Sequence, residues 1–211
     1  MKTVEFVDLL ARHAGAAPAH LVLSRLAPVV MAGGVVSAAA TLLFLGINPV
    51  LPQLGAALAV KLVYVAGLLA GGLLLVARVS QPGAPVKRAM LLLALVAGGM
   101  AVLAAVWFWQ TPEAARTQAL LGRSWAWCPW RVAGLSLPAL VALLWALRGL
   151  APTQLRLAGF AAGLLAGALG ALGYVLFCPV SEFFTIHYAQ ILLVSMSARL
   201  NIDNTLLFLN I

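Results

Sequence analysis

Two cysteines hold the covalent chemistry open to this chain: Cys128, between Trp127 and Pro129, and Cys178, between Phe177 and Pro179. Each thiol sits beside a proline, at a point where an apolar run begins or ends. A thiol pair can bridge, bind a soft metal ion, or stay buried and inert. A bridge would close a span of about 50 residues, stabilising by roughly 4 kcal/mol in the chain-entropy model. The gain in a membrane is smaller, because insertion already restricts the unfolded chain. Three readings therefore stand side by side: a structural disulfide, two unpaired thiols, and a redox- or metal-sensing pair. Sensing requires a labile bond or accessible thiolates.

Few other residues offer chemistry. Cys128, Cys178 and His187 could supply soft metal ligands with Glu182 nearby, but their spacing matches no zinc motif. His187 reads more simply as a polar residue at a helix contact, and His13 and His20 as solvated. Nucleophile elbow, HExxH and phosphate loop are all absent, and no span holds paired carboxylates. The expectation is a protein that is not an enzyme and carries no cofactor. A quinone-linked thiol oxidase would need a second dithiol, and only two cysteines exist.

The surroundings of these residues are overwhelmingly apolar. Of 211 residues, 64% are hydrophobic and 9% charged, with a mean hydropathy of +1.07. A soluble domain is about a quarter charged, and no globular core hides this much apolar surface. The apolar runs are long and continuous, which excludes a barrel. The fold class expected is all-α: a polytopic transmembrane bundle of six helices in a lipid bilayer. The net charge of +8 comes from basic residues scattered at helix ends, as membrane topology demands. A basic stripe interleaved with aromatics is missing, so nucleic acid is not an expected partner.

Six spans position the chemistry. They run from about Leu26 to Gly46, Ala56 to Ala77, Ala89 to Phe108, Val132 to Leu147, Leu157 to Phe177 and Phe183 to Ala198. The first, about 21 residues at 1.5 Å rise, is long enough to cross. Residues 1–25 form an N-terminal segment, 26–198 the membrane domain and 199–211 a short tail. Thr3 to His13 reads as an amphipathic helix with Phe6, Leu9 and Leu10 on one face. That face suits either the membrane surface or a soluble partner. In the second span Lys61 and Tyr64 lie within two turns of the start. An intramembrane Lys is a functional hypothesis by default, although snorkelling to the nearby headgroups is the favoured reading. Gly67 and Gly71 there, and Gly159, Gly163, Gly167 and Gly170 in the fifth span, have the spacing of close helix contacts. Thr111-Pro112-Glu113 reads as the start of a short helix, and Pro138 as a kink. Trp125, Trp127 and Trp130 place Cys128 at headgroup depth. The sixth span carries Thr185, His187, Gln190, Ser195 and Ser197, a polarity suited to contact with protein.

Orientation follows from basic residues outside the spans. One side takes nine Lys or Arg (Lys2, Arg12, Arg25, Arg78, Lys87, Arg88, Arg148, Arg156 and Arg199) and the other takes Arg116, Arg123 and Arg131. The positive-inside rule then puts both termini in the cytoplasm. Both cysteines fall outside, which in a bacterium is the oxidising periplasm.

These segments resemble a known family. Gly122-Arg123-Ser124-Trp125 through Cys128, Ala146-Leu147-Arg148-Gly149-Leu150-Ala151-Pro152-Thr153, the glycine-rich fifth span, and Cys178-Pro179 through Phe183, Phe184 and Tyr188 look like the NrsF-type membrane anti-sigma factors. Lys61-Leu62-Val63-Tyr64 and the stretch from Gly46 to Pro49 fit the same pattern. The resemblance implies a multi-pass protein of the bacterial inner membrane whose partner is an extracytoplasmic-function sigma factor. It implies release of that sigma factor on oxidative or heavy-metal stress, with Cys128 and Cys178 as the responding pair. His187-Tyr188 stands where the family tends to have Trp-Tyr, and residues 201–211 depart from the family's basic C-terminus. The expected partner surfaces are the N-terminal segment and the loop from Val79 to Arg88. The other function class compatible with the residues is a small transporter or channel-like protein, with a path lined by Lys61 and the sixth span. No acidic residue falls within a span, which argues against most proton or cation coupling.

Overall fold

A computed structural model describes residues 20–46, 49, 55–81, 84–116, 127–150, 154–175 and 177. Five long helices account for most of them: α1 (His20–Phe44), α2 (Gly55–Val79), α3 (Lys87–Gln110), α4 (Cys128–Arg148) and α5 (Leu155–Val175). All five are long and apolar enough to cross a membrane, and no strand occurs among the described residues. The expected sixth span, 183–198, lies outside them.

The helices overrun their apolar stretches. α1 starts at His20, six residues before the expected Leu26, because hydropathy marks the membrane-crossing part and not the end of hydrogen bonding. The last residues of the expected N-terminal segment are therefore already helix. At the other end Gly46 adopts φ +80°, a left-handed conformation that glycine takes without a Cβ penalty, and its N–H donates to Thr41 O at 2.9 Å. α4 runs unbroken for 21 residues through Pro138. The residue four positions before the proline ring is Gly134, which has open space beside it.

α5 is the central element and packs against α4, α2 and α1. Its glycines Gly159, Gly163, Gly167 and Gly170 are all buried, as their small-residue spacing predicts. The register can be read from contacts. Gly33 of α1 abuts Ala139 of α4, and Arg25 meets Gly149, so α1 and α4 are antiparallel. Gly33 also approaches Leu169, and Gly173 approaches Ser37, so α1 and α5 are parallel. α3 lies outside and packs mainly on α2, where Val96 and Leu93 fill the notches over Gly67 and Gly71. The predicted Gly67–Gly71 pair thus receives side-chain knobs, whereas Gly72 takes the backbone of α5 at Leu165. Much of α3 is exposed, with Leu91, Leu95, Val102 and Val106 on its surface, as suits a lipid-facing helix.

Two ends of the bundle differ in chemistry. Arg25, Arg78, Lys87, Arg88, Arg148 and Arg156 collect at one end, by the antiparallel order of their helices. There the Arg25 guanidinium donates to Gly149 O at 2.9 Å, capping the last turn of α4 as a cation near a helix C-terminus should. The contact is exposed, so water replaces it readily. Arg25→Ala is expected to cost less than about 1 kcal/mol in denaturation of the micelle-embedded protein, with faster amide exchange confined to the first turns of α1.

Candidate functional site

The opposite end holds the cysteine-bearing segments. Cys128 is the first residue of α4, with Pro129 next, where a missing N–H costs nothing. Cys178 comes three residues after Val175, the end of α5, and, with His187, Phe6, Leu9 and Leu10, lies outside the described residues. The two segments nevertheless meet through their neighbours. The Arg131 guanidinium carbon, one turn into α4, sits 5.5 Å from the centroid of the Phe177 ring. Phe177 turns back so that its N–H donates to Tyr174 O at 3.0 Å, and the two rings lie 5.8 Å apart at 50°. One turn deeper, a Cβ on Gly170 would stand 2.9 Å from Val132 O and from the Ser136 side chain. α4 and α5 are thus locked in antiparallel register where the thiol segments emerge.

Exposed tryptophans ring this end: Trp109, Trp127 and Trp130 are all on the surface, and Trp107 is partly so. This is the arrangement of an interfacial aromatic belt. Beneath it lie four of the five buried polar side chains among the described residues, namely Ser37, Thr41, Lys61 and Ser136; the fifth, Ser80, is at the other end of α2. Thr41 Oγ donates to Ser37 O at 2.9 Å and Ser136 Oγ to Ala133 O at 2.8 Å. Such local bonding lets a hydroxyl sit in an apolar bundle.

Lys61 corrects an expectation. It does not snorkel to the surface; its side chain is 2% exposed. The reason is helical phase. Lys61 lies in line with Tyr64, Val65, Leu68, Leu75, Val76 and Val79, the buried stripe of α2, so its position points into the bundle regardless of how near the helix end is. That phase was the signal available in the sequence. Lys61 therefore lines no open path among the described residues. The groove between α1 and α2, about 390 Å³ and floored by α5, is lined by aliphatic residues, glycine and alanine, among them Met31, Val35, Leu73 and Leu169. Neither feature favours transport.

Thr111 closes α3 as its C-cap, with its Oγ donating back to Trp107 O at 2.8 Å, and a helical turn follows at 113–116, where Thr111-Pro112-Glu113 predicts the start of a helix. Arg116 and Glu113 pair across that turn at 3.2 Å. No cluster of three His, Cys, Asp or Glu side chains forms among the described residues; Cys178, Glu182 and His187 are outside them.

Five apolar helices of alternating direction packed around the glycine-rich α5, with a cluster of basic residues at one end and most of the exposed tryptophans at the other, define the class as a polytopic α-helical bundle built for a membrane. The family profile described as "Negative regulator of sigma F" matches residues 10–200, and the chain belongs to this NrsF family. A "probable anti-sigma-F factor NrsF" from Azospira oryzae is 41% identical over 184 residues, 85% of each chain. An "anti-sigma-F factor NrsF" from Caulobacter vibrioides is 40% identical over 189 residues, 87% of each chain. No solved structure shows a significant match. The family's role is regulatory, in keeping with the absence of catalytic motifs.

Proposed function

We propose that this chain is a membrane anti-sigma factor that holds a sigma factor of the extracytoplasmic-function class at the cytoplasmic face of the bacterial inner membrane. In this reading six spans place both termini in the cytoplasm, and Cys128 and Cys178 face the periplasm as the sensing pair. The observation that carries it is the 40–41% identity to anti-sigma-F factors across most of the chain. The meeting of Arg131 and Phe177 supports the thiol part.

The chemistry balances simply. With a peroxide as oxidant, one thiolate attacks a peroxide oxygen, water leaves and a sulfenic acid forms. The second thiol then attacks that sulfur, the S–S bond forms and a second water leaves. A thiophilic divalent cation instead takes both sulfurs as thiolates and displaces two protons. Either event draws the start of α4 and the segment after α5 together. α4 carries the change to the basic end, where Arg25 links it to α1. Moving the sigma factor from mostly bound to mostly free takes several kcal/mol of differential affinity between the two states.

The test is co-purification of the sigma factor from cells treated with peroxide or cadmium. Wild type should lose most of its sigma factor on treatment. Cys128→Ser/Cys178→Ser should retain it under both treatments while binding normally at rest. A double mutant that still releases fully would eliminate the thiol pair as sensor and leave the anti-sigma role untouched.

A further inference from the structure

We infer that α4 carries a hinge at residues 133–138, about which its outer end, residues 128–132, swings against α5. The hinge stands apart from the sensing role proposed above and needs only the helix and its neighbours.

A membrane helix keeps its backbone bonded because lipid offers no substitute donor. In α4 two neighbouring carbonyls depart from that rule. Pro138 lies inside the helix and has no N–H, so Gly134 O is left without its donor four residues on. Ser136 Oγ donates to Ala133 O at 2.8 Å, the carbonyl that the Leu137 N–H would otherwise hold alone. A hydroxyl bonded back to its own helix loosens and bends it. Gly134 adds the weakest helix former short of proline. Proline and Gly/Ser pairs are the usual causes of helix bending, and here glycine, serine and proline fall at 134, 136 and 138.

The surroundings leave room for the bend and set its plane. Gly134, Leu137, Pro138 and Val141 are exposed, and nothing lies within 4 Å of where a Cβ on Gly134 would stand. The opposite side is packed, with Val132, Ser136, Ala139 and Leu143 buried. A wedge in the hydrogen-bond ladder therefore opens toward lipid and closes toward the core.

The tightest contacts on either side of the wedge go to different helices. On the outer side Val132 O sits 2.9 Å from the Cβ position of Gly170 in α5. On the inner side the Ala139 Cβ sits 3.0 Å from that of Gly33 in α1, and Arg25 of α1 donates to Gly149 O at 2.9 Å. The inner half is thus braced on α1, and the outer end rests on a glycine of α5. A few residues that absorb a backbone change between two packed bodies are what a hinge requires. From Pro138 to Cys128 is about 15 Å of helix, so a change in bend of about 10° displaces the outer end by about 2.6 Å.

The test is double electron–electron resonance on the full-length protein in lipid nanodiscs, in a Cys128→Ser/Cys178→Ser background so that thiol chemistry does not enter. Nitroxides on Trp109→Cys and Trp130→Cys report the outer end of α4 against the outer end of α3, both sites being exposed. Nitroxides on Trp109→Cys and Leu43→Cys, also exposed, report α3 against α1 as the control pair. Pro138→Ala returns the missing N–H donor. It should narrow the 109–130 distance distribution by about half and leave the control distribution unchanged. Gly134→Ala/Ser136→Ala, with the proline kept, should narrow it by less. A 109–130 distribution of equal width with and without Pro138 would overturn the hinge. So would equal narrowing of the control pair, since the motion would then belong to α3.

Discussion

Gly173→Ala should destabilise this protein far more than a methyl added at a glycine that faces open space. A Cβ on Gly173 would lie 2.5 Å from Ser37 Oγ, 2.9 Å from Ser37 O and 3.0 Å from Ser37 C. Two of those atoms are backbone and cannot rotate aside. Ser37 is itself fully buried, its Oγ without a hydrogen-bond partner in the structure, so no solvent-filled space lies behind it. α1 must therefore move bodily away from α5, and both helices are packed against α4. Overpacking costs about 1–3 kcal/mol when side chains can yield, and the upper end applies when backbone is the obstacle. Gly98→Ala on α3 is the matched control, since nothing lies within 4 Å of its would-be Cβ; it should be neutral. Denaturant titration in mixed micelles measures both. Equal stability for the two variants would mean that α1 and α5 are not in backbone contact at this end.

The position of Gly173 also shows what sequence can and cannot convey. The five described spans were legible because each is a long apolar run bounded by Pro, Gly or a basic residue. The close packing of α5 was legible from its glycine spacing. Which residue Gly173 would meet was not, because its neighbour Ser37 is 136 positions away. Lys61 shows the same limit from the other side. Distance to the helix end suggested escape to the headgroups, whereas phase with Tyr64, Val65 and Leu68 decided for burial. Hydropathy ranks residues singly; burial depends on the face that the neighbouring helix covers. The cysteine segments were singled out by residue type alone. That Arg131 and Phe177 join them could not be read, since a cation–π contact has no sequence spacing when its partners sit on different helices.

Deleting residues 1–19 is expected to abolish retention of the sigma factor while leaving the bundle intact. The cut preserves α1 from His20 and with it the Arg25 bond to Gly149, so the five described spans keep their contacts. A cut after Arg25 would instead remove the first turns of α1 and confuse loss of binding with loss of packing. Phe6, Leu9 and Leu10 recur at the three- and four-residue intervals of one helix face, the pattern of an amphipathic helix laid in a partner's groove. Three apolar anchors at the centre of such a contact contribute most of its affinity. Phe6→Ala/Leu9→Ala/Leu10→Ala should therefore weaken binding at least about a hundredfold, or about 2.7 kcal/mol, measured by titrating the sigma factor onto the nanodisc-embedded protein. The same variant should bridge Cys128 and Cys178 at the wild-type rate, because Cys128 heads α4 at the end of the bundle away from His20. The competing surface is the basic turn between α2 and α3, with Arg78, Lys87 and Arg88 at the same end as the N-terminal segment. A deletion protein that still holds the sigma factor, and loses it on Lys87→Glu/Arg88→Glu, would move the interface to that turn. The difference matters for the switch. Arg25 ties α1 to α4, whose far end is Cys128, so an N-terminal docking helix is two contacts from the thiols. The α2–α3 turn lies farther along, reaching α4 through α2 and then α5, and would respond to bridging only if α5 itself shifts.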